Sequence, residues 1–308
     1  MRRERNTRLV HVVRDAYTGS DSRDPVGFLV TLRADTVRRS REDRMTLERR
    51  PRLRVASLIF LCAAIPAIGQ AQARASNIPR GPDGKPDLSG IWQVVNSAAW
   101  DLQDHSAALG LPPGQSVVEG GAIPYLPAAA AKQRDNFAHR DTDDPAEVTC
   151  YLPGVPRATY MPFPFEIIQA PKLVVFSYEF THARRNVLTD GSPHPSGFPD
   201  FWMGDSRGRW EGDTLVVDVT NLDDRTWLDH AGNFHSDALH VVERYTPIDA
   251  GHLMYEATLE DPKVFTRPWK ISMPLYRRIE KNAKILEYEC VYYLQDKRYG
   301  NAKPVGGQ

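Results

Sequence analysis

Cysteine is scarce in this 308-residue chain: Cys62, Cys150 and Cys290 are the only three, and no two are close enough to form the paired ligands of a structural zinc site. A Gly-rich phosphate loop of the nucleotide-binding kinds is also missing. No apolar run reaches the ~20 residues a membrane helix needs; the longest extends from Val55 to Gly69. Net charge is absent too, with 39 Lys plus Arg against 39 Asp plus Glu. That zero is the sum of unlike parts. Residues 1–73 hold 15 Arg, no Lys and eight acids (15 − 8 = +7), which leaves residues 74–308 with 24 basic and 31 acidic groups (24 − 31 = −7). An acidic body without a Lys/Arg stripe argues against nucleic acid as a partner.

The basic part has the layout of an export signal. The cluster Arg49-Arg50-Pro51-Arg52-Leu53-Arg54 precedes the apolar run, and Ala71-Gln72-Ala73 supplies a small-x-small cleavage pattern. Met45 stands where such a signal starts. Residues 1–44 are therefore expected to be an upstream mis-start or a disordered extension, residues 45–73 a signal peptide, and residues 74–308 a single domain. Cleavage near Ala73 predicts a periplasmic or secreted product with no stable membrane anchor. Leu61 in front of Cys62 does not suit a lipoprotein site. Cys150 and Cys290 then remain, either paired as a disulfide in an oxidising compartment or buried as small hydrophobes.

Residues 74–308 read as strands. Leu88–Val95, Phe165–Ala170, Leu173–Phe180 and Arg185–Thr189 are β-rich and bounded by turn residues, with Pro171-Lys172 as one turn. Arg209–Asp218 is a hairpin turning at Gly212-Asp213, and Leu239–Thr246 with His252–Glu260 is another, joined by Ile248–Gly251. Trp269–Arg277 with Ile285–Leu294 is expected to close the sheet. The one clear helix is Pro127–Ala138, with Pro at its first turn. Of 24 prolines, 16 lie between residues 74 and 200, so the first half is rich in loops. The expected fold is all-β, an antiparallel meander forming a barrel or sandwich, with one short helix and a Pro-rich N-terminal half. Gly90-Ile91-Trp92 is similar to the opening strand of lipocalin-like barrels, where the Trp plugs one end beneath an Arg of the last strand. Arg277, Arg278 and Arg298 are the available partners.

Several blocks together resemble one family of exported β-rich proteins of soil and aquatic bacteria, mostly labelled hypothetical. They are Pro82-Asp-Gly-Lys-Pro-Asp-Leu-Ser-Gly-Ile-Trp92, Asp190-Gly-Ser-Pro-His-Pro195, Gly208-Arg-Trp-Glu-Gly-Asp-Thr-Leu-Val-Val-Asp218, His235-Ser-Asp-Ala-Leu-His-Val-Val-Glu-Arg-Tyr245 and Glu260-Asp-Pro-Lys-Val-Phe-Thr-Arg-Pro-Trp269. The resemblance implies export and a shared β-rich fold, and it carries no catalytic assignment. Ser192 stands where the family's Asp-Gly-Arg-Pro-His form has Arg.

Five histidines, His182, His194, His230, His235 and His240, fall in one stretch with Asp205, Asp229, Asp237 and Glu243. Imidazoles shuttle protons near neutral pH and carboxylates orient them. The expected catalytic set is His235, His240, Asp237, Glu243 and His182, with Arg184 or Arg185 clamping an anionic substrate group. His194, Asp205, Arg207, Glu256 and Trp202 are expected to contact substrate. No metal or organic cofactor is required; if an ion binds, His182, His235 and His240 are its candidate ligands, although residues five apart on one strand face opposite ways. Gly204-Asp205-Ser206-Arg207-Gly208 fits the serine-hydrolase pentapeptide but leads into a hairpin, where that motif needs a helix. A four-residue loop at 248–251 would set Glu243 opposite Glu256, so that either one of them has a raised pKa or a cation lies between them. The aromatic loops Tyr160–Phe165 and Phe198–Met203 suit either a pocket mouth or a barrel plug.

Two functions follow. One is an exported enzyme acting on a small apolar or aromatic molecule by His/carboxylate acid–base chemistry of lyase, decarboxylase or isomerase type. The other is a lipocalin-like carrier of hydrophobic ligands; a metal-dependent hydrolase is a further alternative. The enzyme reading requires His182, His235, His240 and Glu243 to meet.

Overall fold

A computed structural model describes residues 78–108, 111–291 and 294. The expected leader, with its start at Met45 and cleavage near Ala73, lies outside the described residues. Nine strands close into a barrel in chain order: β1 (Gly90–Val94), β2 (Phe165–Ala170), β3 (Leu173–Tyr178), β4 (Arg184–Leu188), β5 (Asp205–Glu211), β6 (Thr214–Thr220), β7 (His240–Asp249), β8 (His252–Glu260) and β9 (Trp269–Arg277).

The strands follow from alternation. Along β8, Leu253, Tyr255, Ala257 and Leu259 are buried while their neighbours are half-exposed, so one face fills the lumen and the other meets solvent or loops. Two-residue turns join β2 to β3 at Pro171-Lys172 and β5 to β6 at Gly212-Asp213. Gly212 has φ +61°, the left-handed conformation that a tight hairpin requires.

Two departures from the expected meander have physical causes. First, β4 and β5 run parallel. Parallel neighbours need a crossover of a dozen or more residues, and the loop from Thr189 to Gly204 is long enough to return the chain. Second, the described residues of Ile285–Leu294 (285–291 and 294) form no closing strand. β9 pairs with β1, Trp92 facing Arg277, so the sheet has no free edge left to extend. The later segment is fastened instead by a Cys150–Cys290 disulfide, and Cys290 packs with Ala146, Met161 and Phe180 in a small second core.

Trp92 is fully buried at the barrel end, donating from Nε1 to the Leu88 carbonyl at 2.8 Å. The Arg277 guanidinium lies 4.3 Å above its ring. A Cβ on Gly90, whose φ is +130°, would come within 2.5 Å of that guanidinium, so only glycine admits this approach.

Helix α1 (Pro127–Ala138) lies outside the barrel, where Gln133 and Asn136 donate to the carbonyls of Ala231 and Gly232. It leads into three single turns, α2 (Arg140–Asp143), α3 (Pro145–Val148) and α4 (Arg157–Tyr160). No described helix is long and apolar enough to cross a membrane.

Candidate functional site

The expected catalytic residues do not converge. His235 is buried, with Nε2 2.7 Å from the Thr226 hydroxyl and Nδ1 2.9 Å from the Ser236 carbonyl; burial holds its pKa below the ordinary value, and both nitrogens are occupied. His182 sits at the turn between β3 and β4, 2.9 Å from Glu289. Asp237 is exposed and paired with Lys263. His240 lies on the outer face of the barrel beside Asp218. These positions also separate His182, His235 and His240 as shared ligands of one ion.

Glu243 points into the lumen. The β7–β8 register is one residue away from the expected one: Glu243 faces Ala257, and Glu256 faces Arg244, because the turn closes around Ala250-Gly251 with a shift between Pro247 and Asp249. A slip of one residue exchanges the faces. Glu256 consequently lies outside with Lys270, while Glu243 accepts hydrogen bonds from Tyr245 at 3.0 Å, from Tyr255 at 2.8 Å and from Arg185. Arg185, expected as an anion clamp, is spent on this buried pair and on Ser206, whose hydroxyl accepts from its Nε at 2.8 Å. Ser206 is thus a lumen residue on a strand and not an exposed nucleophile. Arg184 is exposed on the opposite face of β4.

Of the residues expected to touch substrate, Trp202 packs against Tyr151 in a tilted pair, ring centroids 4.5 Å apart, beneath Arg225. Tyr160, Met161 and Phe165 are core residues, whereas Phe198 and Phe201 are exposed. His194, Asp205 and Arg207 do meet, together with His240, around Asp218 on the outer face of β5 to β7.

A second constellation borders a cavity. Asp144 caps α3, accepting from the Ala146 amide at 3.0 Å, and Pro145 and Glu147 follow in the first turn. Its carboxylate is fully buried and receives both terminal nitrogens of Arg157, at 2.8 and 2.7 Å. The same carboxylate stands 2.8 Å from His230 Nδ1. Burial alone would raise the Asp144 pKa; the Arg157 charge and the bonds from His230 and Arg157 outweigh it and hold the carboxyl below its usual range. For His230 burial works to lower the pKa, and the Asp144 bond with the Glu147 and Asp144 charges reverses this, so the imidazole is raised. His230 Nδ1 is also 3.5 Å from Glu147 Oε2, and its ring packs 4.6 Å from that of Trp100.

Trp100 and Glu147 both line a cavity of about 680 Å³ outside the barrel. Leu111, Pro112, Val117, Met273 and Pro274 complete its apolar walls, and no Lys, Arg or His is among the described lining residues. Beside His230, Asp229 is buried and its pKa is pushed up to about 7 by burial and the Asp101 charge, against opposing bonds from Asn233 and the Leu102 amide. It ties loop 99–102 to loop 229–233.

Asp144, Glu147 and His230 offer ligand atoms within 4.8 Å of one another, a spacing a cation accepts. The Arg157 guanidinium already lies between the two carboxylates, 2.7 Å from Asp144 and 3.6 Å from Glu147. The positive charge the cluster needs is therefore supplied by the chain.

Sequence reasoning noticed His230 but passed over Asp144, Glu147, Arg157 and Trp100. Asp144-Pro145-Ala146-Glu147 did carry a helix-start pattern, a capping acid with Pro at the first position and Glu at the third. No family model and no curated protein matches the chain.

Proposed function

We propose that the protein is an exported enzyme acting on a small neutral apolar or aromatic molecule in the Trp100 cavity, by acid–base chemistry at a carboxylate backed by an imidazole. The observation that carries this reading is the position of Glu147: one side faces an apolar cavity of about 680 Å³, the other the raised imidazole of His230. A carboxylate at an apolar wall can take or return a proton on a bound molecule, and a held imidazole behind it stabilises the charge that changes. Glu147 is the catalytic residue in this scheme. His230, Asp144 and Arg157 are positioning residues. Among the described lining residues Glu147 is the one charged group, which favours lyase or isomerase chemistry on neutral molecules over decarboxylation. The Cys150–Cys290 disulfide supports an oxidising compartment.

The carrier reading places its ligand in the lumen, but that volume holds the Arg185–Glu243 pair and the buried rings of Phe176, Tyr245 and Tyr255. For a hydrolase metal at the Asp144 cluster, Arg157 occupies the place of the ion.

The test is a thermal-shift and NMR screen of phenols, aryl ketones and aromatic acids against residues 74–308. Neutral aromatics are expected to bind, with binding weakened at least tenfold by Trp100→Ala. Deuterium uptake from D₂O into bound molecules should fall about 10²-fold or more in Glu147→Gln. Binding indifferent to Trp100, or exchange unchanged in Glu147→Gln, overturns the reading.

A further inference from the structure

The cavity beside Trp100 has a polar corner that the Glu147 chemistry does not use. His105 and Gly114 face each other across an antiparallel bridge and exchange both backbone hydrogen bonds, at 3.1 and 3.0 Å. Residues paired in this way carry their side chains on one face, and because Gly114 has none, the His105 ring lies over its backbone. A Cβ on Gly114 would come within 2.0 Å of the ring at Cε1, so only glycine admits the imidazole there.

The same Cβ would stand 2.1 Å from Ser97 Oγ and 2.5 Å from His105 Nε2, which puts the serine hydroxyl and that nitrogen no farther apart than the sum of the two distances. Ser97 and Gly114 line the cavity, whereas His105 does not. The serine is thus the group through which the cavity reaches the imidazole.

The ring is held in place. Nδ1 lies 3.1 Å from the Gln103 carbonyl. The cavity wall after Gly114 is laced to the same loop, the Ser116 amide donating to Asp104 at 2.7 Å and the Val117 amide to the Leu102 carbonyl at 3.0 Å. A carbonyl only accepts, so Nδ1 is a donor in the neutral and in the charged ring alike. Nε2 is enclosed and meets no partner among the described residues. Buried polar atoms are almost always hydrogen-bonded, and Ser97 is placed to supply the missing bond.

We propose that Ser97, backed by His105, is the subsite of the Trp100 cavity that takes a ligand hydroxyl, which makes hydroxyl-bearing aromatics of the phenol type its substrate class. The direction of the relay decides this. With a neutral ring, the serine hydroxyl donates to Nε2 and its oxygen is left to accept from the ligand; with a charged ring, Nε2 donates to Oγ and the serine donates to the ligand. A hydroxyl donates and accepts, so it serves both arrangements. A ketone serves only the second, and a hydrocarbon serves neither. Ser97 touches the ligand in this scheme, and His105 is a positioning residue that acts through it. The assignment rests on the Trp100 cavity being the binding site and adds the group that orients the bound molecule.

The experiment compares phenol with toluene, molecules of nearly the same shape, by calorimetry and NMR on the oxidised protein. An apolar cavity without the subsite favours toluene, since a hydroxyl buried without a partner is penalised. The parent is expected to bind phenol at least about tenfold more tightly than toluene. Ser97→Ala should abolish that preference and leave toluene affinity unchanged, while Ser97→Thr, which keeps the hydroxyl, should retain it. His105→Phe should reduce the preference at least about fivefold. The Nε2 resonance of His105 should shift on addition of phenol and stay in place with toluene, a response that a purely structural histidine does not give. Circular dichroism and toluene binding verify the fold of each variant. Toluene bound by the parent as tightly as phenol, or a preference retained in Ser97→Ala, overturns the subsite and leaves the Trp100 cavity standing. Failure of both molecules to bind the parent overturns the two together.

Discussion

Asp144 and His230, 86 residues apart in the chain, meet at 2.8 Å in the interior. One carboxylate there satisfies an imidazole, a guanidinium and a helix amide. Glu147 at the cavity is positioned through it, because Asp144 caps α3, the turn that carries Glu147.

Removing Arg157 should therefore be costly. Arg157→Met leaves the buried Asp144 charge uncompensated, and breaking a buried pair in this way costs about 3–5 kcal/mol. Urea denaturation of the variant should show that loss with an unchanged m-value. A loss below about 1 kcal/mol would mean that Asp144 does not depend on this partner.

The pH dependence has a definite sign. The folded His230 has a raised pKa, so its contribution to stability is fully present below the unfolded value of about 6.5 and is lost as pH rises through the folded value. Asp229, raised to about 7 when folded, also contributes below its unfolded value near 3.8 and loses that contribution up to about pH 7. Buried His235, whose folded pKa is lowered, adds stability as pH rises toward about 6.5, so the melting temperature should decline between about pH 6.5 and 8, and His230→Gln should flatten that decline. A melting temperature that rises over this range contradicts both assignments.

The lumen pair gives a coupling prediction. Glu243→Gln and Arg185→Met should each destabilise the barrel by about 3–5 kcal/mol, since each strands a buried charge. The double variant Arg185→Met/Glu243→Gln should cost at least about 2 kcal/mol less than the sum of the single costs. Additive losses in a double-mutant cycle would show that the two residues do not act as a pair.

The disulfide reaches the site through α3. Cys290 Sγ lies 3.7 Å from the Ala146 carbonyl, between Asp144 and Glu147 in sequence. Cys150→Ser/Cys290→Ser should lose about 2–5 kcal/mol of stability, and its affinity for neutral aromatics should fall with it. Dithiothreitol should reproduce both effects in the parent and change nothing in the serine variant.

What the sequence determined by itself is local. Phe165–Ala170, the Gly212-Asp213 hairpin, His252–Glu260 and helix Pro127–Ala138 stand where alternation, turn chemistry and a leading proline put them. The Trp92 plug with an arginine of the last strand was legible too, although only the structure selects Arg277. The tertiary structure decided everything that depends on pairing partners: that β4 and β5 run parallel, that β9 closes on β1, and that Glu243 faces the lumen while Glu256 does not. Side chains along a strand alternate with a period of two, so one residue of register carried Glu243 from an expected carboxylate pair into a salt bridge with Arg185. His182, His235 and His240 fall in one stretch of sequence and separate in space, because strand direction and burial sent each to a different part of the fold. Asp144 and His230 are the reverse case, joined by the return of loop 229–233 against α1 to α3, a contact no local pattern encodes.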